Sequence, residues 1–423
     1  MKTFRKIMAA VLCVMMIVTL DGCAQASEDG ITEIEIVSYK REAIDVMDEI
    51  QDLFNSTHDD IRLKISSPNE AMTILKTRFI RDDYPDIVAI GGDINYSNFL
   101  DAGLFMDISD LQALKEVKEG YLDIDKQLEL VSMDGVYALP YVANAAGVLY
   151  NKDIFNKYGW KIPNTWDEFI SLCQTIQSKG LTPLYFGYKD TWTTLAPWNA
   201  LAVDLVDANI CAQVNKNEAT FANAYREVAT KQKELLKYCQ PNPYAYSYTD
   251  AATAFANGEA VMWPIGSYAI SQVQSVNPDM NIDSFVMPGS NDPNKNILNS
   301  GIDVQFSIME NCPNKEAAYE VLNFLYTDEV LNMYLEDQGG VATKKGEFPI
   351  AEYLKGMETY ILAGEVADFQ DHHYPTEMAV DAMIQTYLLD KKKDALDTFL
   401  NKFDTDWIRY NRDLIARVQK EES

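Results

Sequence analysis

The chain predicts an α/β protein built as two domains. Three observations carry that expectation. Apolar residues alternate, then recur at helical spacing, then alternate again over positions 33–79, which gives the order strand–helix–strand–helix. The run that follows, "PDIVAI" (Pro85 to Ile90), is apolar without a break, as in a strand covered on both faces. And 423 residues are more than one hydrophobic core usually serves.

The elements justify this in order. Lys2, Arg5 and Lys6 precede an apolar run from Ile7 to Leu20. That run is shorter than the roughly 20 residues a membrane span needs and suits a signal peptide. It ends in "TLDGC", which resembles a bacterial lipobox with Cys23 as the lipidated residue; Asp21 departs from the small or apolar residue usual there. An ordinary secretory signal is the plainer reading. Residues 1–22 are thus expected to be removed, and residues 23–30, small and polar, to form a tether. Ile34 and Ile36 alternate with Glu33 and Glu35 as a strand, and Ala43, Val46, Met47, Ile50, Leu53 and Phe54 fall on one helix face. Ile61, Leu63 and Ile65 form the next strand, and Ala71, Ile74, Leu75 and Phe79 the next helix. With "PDIVAI" this gives β-α-β-α-β, an open sheet with right-handed crossovers. Ligands of such sheets collect beyond the carboxyl ends of the strands, here "SYKRE" (Ser38 to Glu42) and "GGDINY" (Gly91 to Tyr96).

The stretch "PYVANAAGVLYNKDIFNKYGWKIPNTWDEF" (Pro140 to Phe169) joins a buried strand to a helix opened by Thr165, with Glu168 three residues on as a capping box. Tyr158, Trp160 and Trp166 read as packing around that helix. Helices continue through "NKEAAYEVLNFLY" and "TDEVLNMYLED", and again from about Thr376 to Gln419. No internal repeat, low-complexity block or long linker interrupts the chain. Two domains without a linker imply an intimate interface, with the chain crossing it more than once.

A net charge of −28 argues against nucleic acid and against an electrostatic grip on anionic membranes, and fits a neutral ligand best. Cys13 lies in the signal; Cys173, Cys211, Cys239 and Cys312 are far apart, with no C-x-x-C spacing, so no zinc or redox motif is expected. Disulfides and free thiols both remain open for these four. His372 and His373 are adjacent and the only other histidine is His58, so no metal and no cofactor is expected. There is no G-x-S-x-G, H-E-x-x-H or phosphate loop.

Four segments in order resemble the extracellular sugar-binding proteins of ABC importers, the group that includes the maltose-binding protein. They are "YPDIVAIGGD", the stretch from Pro140 to Phe169, "AFANGEAVMWPIGSYAISQV" (with Tyr268 where Trp is common) and "NKEAAYEVLNFLYTDEVLNMYLEDQGGVATKKG". The resemblance implies a two-lobe periplasmic-binding-protein-like fold, with hinge strands and a ligand cleft between the lobes. One lobe would take residues 31–140 and 298–340, the other 141–297 and 341–423. It implies a monomer, held outside the cell membrane by its N-terminal lipid, that closes on a sugar and passes it to the permease subunits of the importer. No bond is made or broken.

A neutral sugar needs carboxylate or amide partners for its hydroxyls and aromatic faces for its rings. On the resemblance, Lys40 is a contacting lysine, with Tyr39 and Arg41 beside it; a solvated surface lysine is the plain alternative. Asp93 matches a contacting acid, and also reads as a helix cap. Asn144 stands where the family has a contacting carboxylate, and Tyr141 precedes it as either cleft wall or core. Trp192 and Trp198 fall where sugar-facing aromatics are common. Tyr268 holds the stacking position, with Trp263 as the alternative ring. His373 and Tyr374, in "FQDHHYPTE", are further contacts, and Asp381 follows on the next helix. Two rival readings stay open: a binder of another solute such as a polyamine or peptide, and an exported glycosidase, which would need a pair of carboxylates at a set separation.

Overall fold

The computed structural model describes residues 30–421. The signal, Cys23 and most of the tether lie outside the described residues. Twelve strands form two sheets: β1 (Thr32–Ser38), β2 (Ile61–Ser66), β3 (Ile87–Ile90), β4 (Leu139–Ala143), β5 (Ala146–Asn151), β6 (Thr182–Leu184), β7 (Ala260–Gly266), β8 (Ile282–Phe285), β9 (Leu298–Asn299), β10 (Ile302–Ile308), β11 (Val341–Ala342) and β12 (Val366–Ala367).

The first sheet runs β11-β4-β10-β3-β1-β2. Its β1–β2 and β1–β3 pairs are parallel, as the opening sequence pattern requires, and helices Ile44–Thr57 and Ala71–Ile80 make the crossovers. Val46, Met47, Ile50 and Phe54 bury one stripe of the first of these helices. β3 is buried throughout, but it is not flanked by parallel neighbours alone: β10 joins it antiparallel. The second sheet runs β12-β9-β5-β7-β6, with β8 also on β5. Each sheet is covered by helices and has its own apolar core. No described helix is long and apolar enough to cross a membrane.

Strand pairing fixes where the chain passes between the sheets. β4 belongs to the first and β5 to the second, so the first crossing is Asn144–Ala145; β9 and β10 place the second at Ser300–Gly301. The third lies between β11, paired to β4, and β12, paired to β9. These differ from the expected limits at 140/141, 297/298 and 340/341. Tyr141 to Ala143 stay in the first sheet because β10 and β11 pair with them, and Leu298 and Asn299 stay in the second because β12 does. The first two crossings are tied together: Asn144 N donates to Gly301 O at 2.9 Å and Ser300 Oγ to Asn144 O at 2.6 Å.

One local expectation is corrected, and one open alternative is decided. Thr165 caps helix Trp166–Ser178 by accepting from Glu168 N at 3.3 Å, but Glu168 reaches back to Asn164 N instead, so the box is not reciprocal. A reciprocal box occurs at Ser247 and Asp250, ahead of helix Tyr248–Ala256. Cys173, Cys211, Cys239 and Cys312 are all free thiols.

Candidate functional site

Where the first two crossings meet β1, a carboxylate gathers three donors. Asp303, at the start of β10, accepts from Lys40 Nζ at 2.7 Å and 3.0 Å, from Tyr39 Oη at 3.1 Å and from Asn144 Nδ2 at 3.1 Å; Tyr39 also donates to the Asp303 carbonyl at 2.7 Å. Lys40 and Tyr39 arrive at the carboxyl end of β1, Asn144 sits on the crossing itself, and Asp303 follows the second crossing by two residues. Burial works against the Lys40 ammonium, but the Asp303 and Glu42 carboxylates outweigh it and raise its pKa. Burial, then Asp303, holds the Tyr39 phenol well above its ordinary value. A cavity of about 540 Å³ opens beside this group, lined by Lys40, Asn144 and Asp303 from one side and Ser267, Tyr268 and Ser271 from the other.

Tyr268 follows β7 in a short turn; its ring folds back over Gly266, where an added Cβ would lie 2.3 Å from it. It is 38% exposed, and Trp192, 41% exposed, stands 6.2 Å from it centroid to centroid. Two large exposed rings side by side cost solvation unless something covers them. Trp192 rides on the turn Thr191–Thr194, pinned by Thr191 Oγ1 donating to Asp381 Oδ2 at 2.5 Å and Thr194 Oγ1 to Asp381 O at 3.1 Å. Asp381 therefore positions Trp192. Behind the pair, Tyr248 packs between Trp192 at 5.0 Å and Trp263 at 5.7 Å.

A second polar group lies on the second lobe's side. Asp368 binds His372 Nδ1 through Oδ1 at 2.8 Å, and its Oδ2 lies 3.4 Å from His373 Nε2. Burial disfavours the His372 imidazolium, but Asp368, Asp371 and Asp93 overcome it and push its pKa up to about 10. His372 Cε1 and Phe369 pack on Gly301, so closely that a Cβ there would meet them at 2.5 and 2.3 Å.

The structure thus brings together Lys40, Asn144 and Tyr268 at one cavity, with Tyr39 behind them on Asp303 and Trp192 beside Tyr268. Asp93 is half-buried and caps helix Ile94–Asp101, its Oδ1 accepting from Asn95 N at 2.7 Å. Five of the expected contacts lie in or beside the cores instead. Tyr141 is fully buried in the first core, against Phe306 at 5.1 Å and Tyr334 at 5.2 Å, because its strand position points away from Asn144's surroundings. Trp198 is fully buried in the second core and donates through Nε1 to Tyr374 Oη at 3.1 Å. Tyr374, 4% exposed, donates through Oη to Tyr225 Oη at 2.7 Å, so it too is core. Trp263, 2% exposed on the wholly buried β7, backs the aromatic pair rather than forming its face. His373 is buried at the edge of the Asp368 group and does not line the cavity beside Lys40. Sequence reasoning missed Asp303, Asp368 and Asp371. The one available signal for Asp303 was a lone acid near the start of a strand, IDVQFSI, directly after Ser300–Gly301.

Two sheet-and-helix lobes, three crossings, and a polar and aromatic site at the junction are the architecture of a two-lobe solute-binding protein. The chain belongs to the family described as bacterial extracellular solute-binding protein, whose model matches residues 40–331. It is 27% identical to the "multiple sugar-binding protein" of Streptococcus mutans over 95% of this chain and 98% of that one. Among solved structures, the apo-form of RafE from Streptococcus pneumoniae superposes with a TM-score of 0.81 at 27% identity, covering 89% of this chain and 98% of that one. RafE in complex with raffinose gives 0.72 at the same identity, over 89% and 99%.

Proposed function

We propose that this protein is the carbohydrate-capturing component of an ABC importer, anchored outside the cell membrane through a lipid on Cys23, and that it closes its lobes as a monomer on a neutral oligosaccharide and offers the closed form to the permease. One observation carries the reading: the exposed Trp192–Tyr268 pair stands beside the Lys40–Asp303–Asn144 cluster at the junction of the lobes. Rings supply the apolar face a pyranose needs, and the cluster supplies directed donors and an acceptor for its hydroxyls. The names of its relatives, a multiple sugar-binding protein and a raffinose-bound RafE, support the ligand class. The better superposition on the apo-form of RafE supports reading the present arrangement of lobes as the unliganded one.

Thermal melts against a panel of mono- and oligosaccharides test this. A true ligand raises the melting temperature by mass action, and product analysis after long incubation should find the sugar intact. A shift with a polyamine or peptide and none with any sugar would refute the ligand class; released monosaccharide would refute a binding role without chemistry.

A further inference from the structure

The last described helix, Arg412–Glu421, packs with the second lobe and yet reaches the first. Ile415 lies against the second core, and Gln419 Nε2 donates to Asn215 O at 3.1 Å, so the helix is fixed on its own side. Arg417 is two residues from each of them. Two residues along a helix is a turn of about 200°, so the face opposite Ile415 and Gln419 carries Arg417. There its Nη2 donates to both carboxylate oxygens of Asp101 at 2.8 Å. Asp101 ends helix Ile94–Asp101, whose Tyr96, Phe99 and Leu100 are buried in the first core. Val418, next to Arg417, lines a cavity of about 400 Å³ with Leu130 and Ser132 of the first lobe and Asn209 and Ala212 of the second. The lobes thus face each other across open space beside the pair. The pair also stands away from the hinge. Gly92 N donates to Ile302 O at 3.0 Å, directly after the second crossing. From there helix Ile94–Asp101 carries Asp101 about 12 Å off, at about 1.5 Å per residue. The main-chain bonds of the crossings lie at the pivot and survive a turn of the lobes. A turn of about 15° moves a group about 12 Å from a pivot by about 3 Å, which a hydrogen bond does not survive.

We propose that Arg417 and Asp101 form a latch between the lobes, which holds the ligand-free arrangement and must open before the lobes close. The inference rests on the reading above that the lobes close on a solute and that the present arrangement is the empty one. It adds a control element that touches neither the cavity beside Lys40 nor any crossing. The strength of the latch follows from its exposure. The Arg417 and Asp101 side chains are 49% and 27% exposed, so water screens the pair and it shifts the balance of lobe arrangements by about threefold. A latch of that strength lowers the population of empty closed protein, and a ligand has to supply no more than the same factor to open it. It also confers a signature. Salt screens an exposed ion pair, so capture of an uncharged solute becomes tighter as salt rises.

The test uses the whole protein with one dye on each lobe, read by single-molecule energy transfer without ligand. Raising salt from about 50 mM to about 1 M should increase the closer-lobed minor population about threefold in the wild type. Arg417→Gln and Asp101→Asn should each show that increase already at low salt and gain nothing further from salt. Calorimetry with melibiose, raffinose and stachyose follows. The tightest of them should bind each variant about threefold more tightly than the wild type at low salt. The double variant should bind no tighter than either single one, and Arg417→Asp combined with Asp101→Arg should return the wild-type affinity. No binding of any of these sugars to any form would count against the carbohydrate reading, and the dye pair then decides the latch by itself. A lobe distance that neither salt nor either substitution alters overturns the latch. Weaker sugar binding in both variants overturns it too, because the pair would then belong to the closed form. So does an effect in one variant without the other, since a latch has two ends. Melting well below the wild type in both variants would make the pair a structural brace and overturn the proposal equally.

Discussion

Asp303→Ala should destabilise the ligand-free protein by about 3 kcal/mol. The carboxylate accepts from three side chains: the Lys40 ammonium at 2.7 Å, the Tyr39 phenol at 3.1 Å and the Asn144 amide at 3.1 Å. A hydrogen bond between neutral groups contributes roughly 1 kcal/mol and one to a charged group about 1.5–3. The three together would exceed 4 kcal/mol if they added. They do not add, because Tyr39 keeps the Asp303 carbonyl at 2.7 Å and Lys40 keeps Glu42 at 3.2 Å. The Lys40 side chain is also 17% exposed, so water screens part of its lost partner. About 3 kcal/mol remains. Asp303→Asn preserves shape and one acceptor, and should cost about half as much. Urea titration of the empty protein gives both values. A double-mutant cycle with Lys40→Met should then show a coupling of about 1 kcal/mol or more. A loss under about 1 kcal/mol in Asp303→Ala, or additive behaviour in the cycle, would refute the view that this carboxylate organises the junction.

Trp192→Ala and Tyr268→Ala should each weaken sugar binding at least about fivefold, the effect of an interface anchor, while the empty protein melts normally, since both rings are exposed. Trp263→Ala should behave in the opposite way and cost about 3–5 kcal/mol of stability by chemical denaturation, because its ring is buried behind them. Gly301→Ala should destabilise by about 1–3 kcal/mol through overpacking and widen the molecule in solution scattering, since a Cβ there would press on Phe369 at 2.3 Å and His372 at 2.5 Å; an unchanged radius of gyration would show that the second lobe absorbs the strain locally. His372 titrates at about 10 in the fold against about 6.5 when free. A raised folded pKa gives stability that is complete below the unfolded value and is lost as pH rises through the folded one. Stability should therefore decline between about pH 6.5 and 10, and His372→Gln should flatten that part of the curve; an unchanged slope would count against the His372–Asp368 pair.

The parts of this fold that were legible are those written by periodicity. Ile34 and Ile36, and then Ile61, Leu63 and Ile65, alternate because one face of each strand is covered, and β1 and β2 follow from that, while β3 follows from its unbroken apolar run. The site was legible only where a residue's place on an element betrays it. Lys40 ends a strand and Tyr268 follows one, and both reach the cavity. Aromatic type by itself carried no such information. Trp198, Trp263 and Tyr374 satisfy the same chemistry as Trp192 and Tyr268, but the second lobe spends them on its interior, where Trp198, Tyr374, Tyr225 and Gln370 hand hydrogen bonds along a buried line. Asp303 was illegible for a different reason. Its partners Lys40 and Asn144 lie 263 and 159 residues away in the chain, a separation that no local pattern records.

The position of Asn144 joins the site to the hinge. Its backbone N–H holds Gly301 and its carbonyl accepts from Ser300, so its main chain fastens two crossings together. Its side chain, on the same residue, donates to Asp303. A rotation of the lobes must turn about those main-chain bonds, and any such turn moves the amide relative to the carboxylate. In the arrangement seen here Asp303 already holds Lys40, Tyr39 and Asn144 in place, so a sugar hydroxyl would meet the second N–H of Asn144 or exchange one of these bonds for one of its own. That exchange is cheap, because the donors are held in place beforehand and little ordering is left to be done on binding. On the carbohydrate reading proposed above, it would also give the hydroxyl a lever: drawing Asn144 or Lys40 from Asp303 loosens a side-chain link between β1 and both crossings, so the group proposed to meet the ligand would also set how freely the lobes turn.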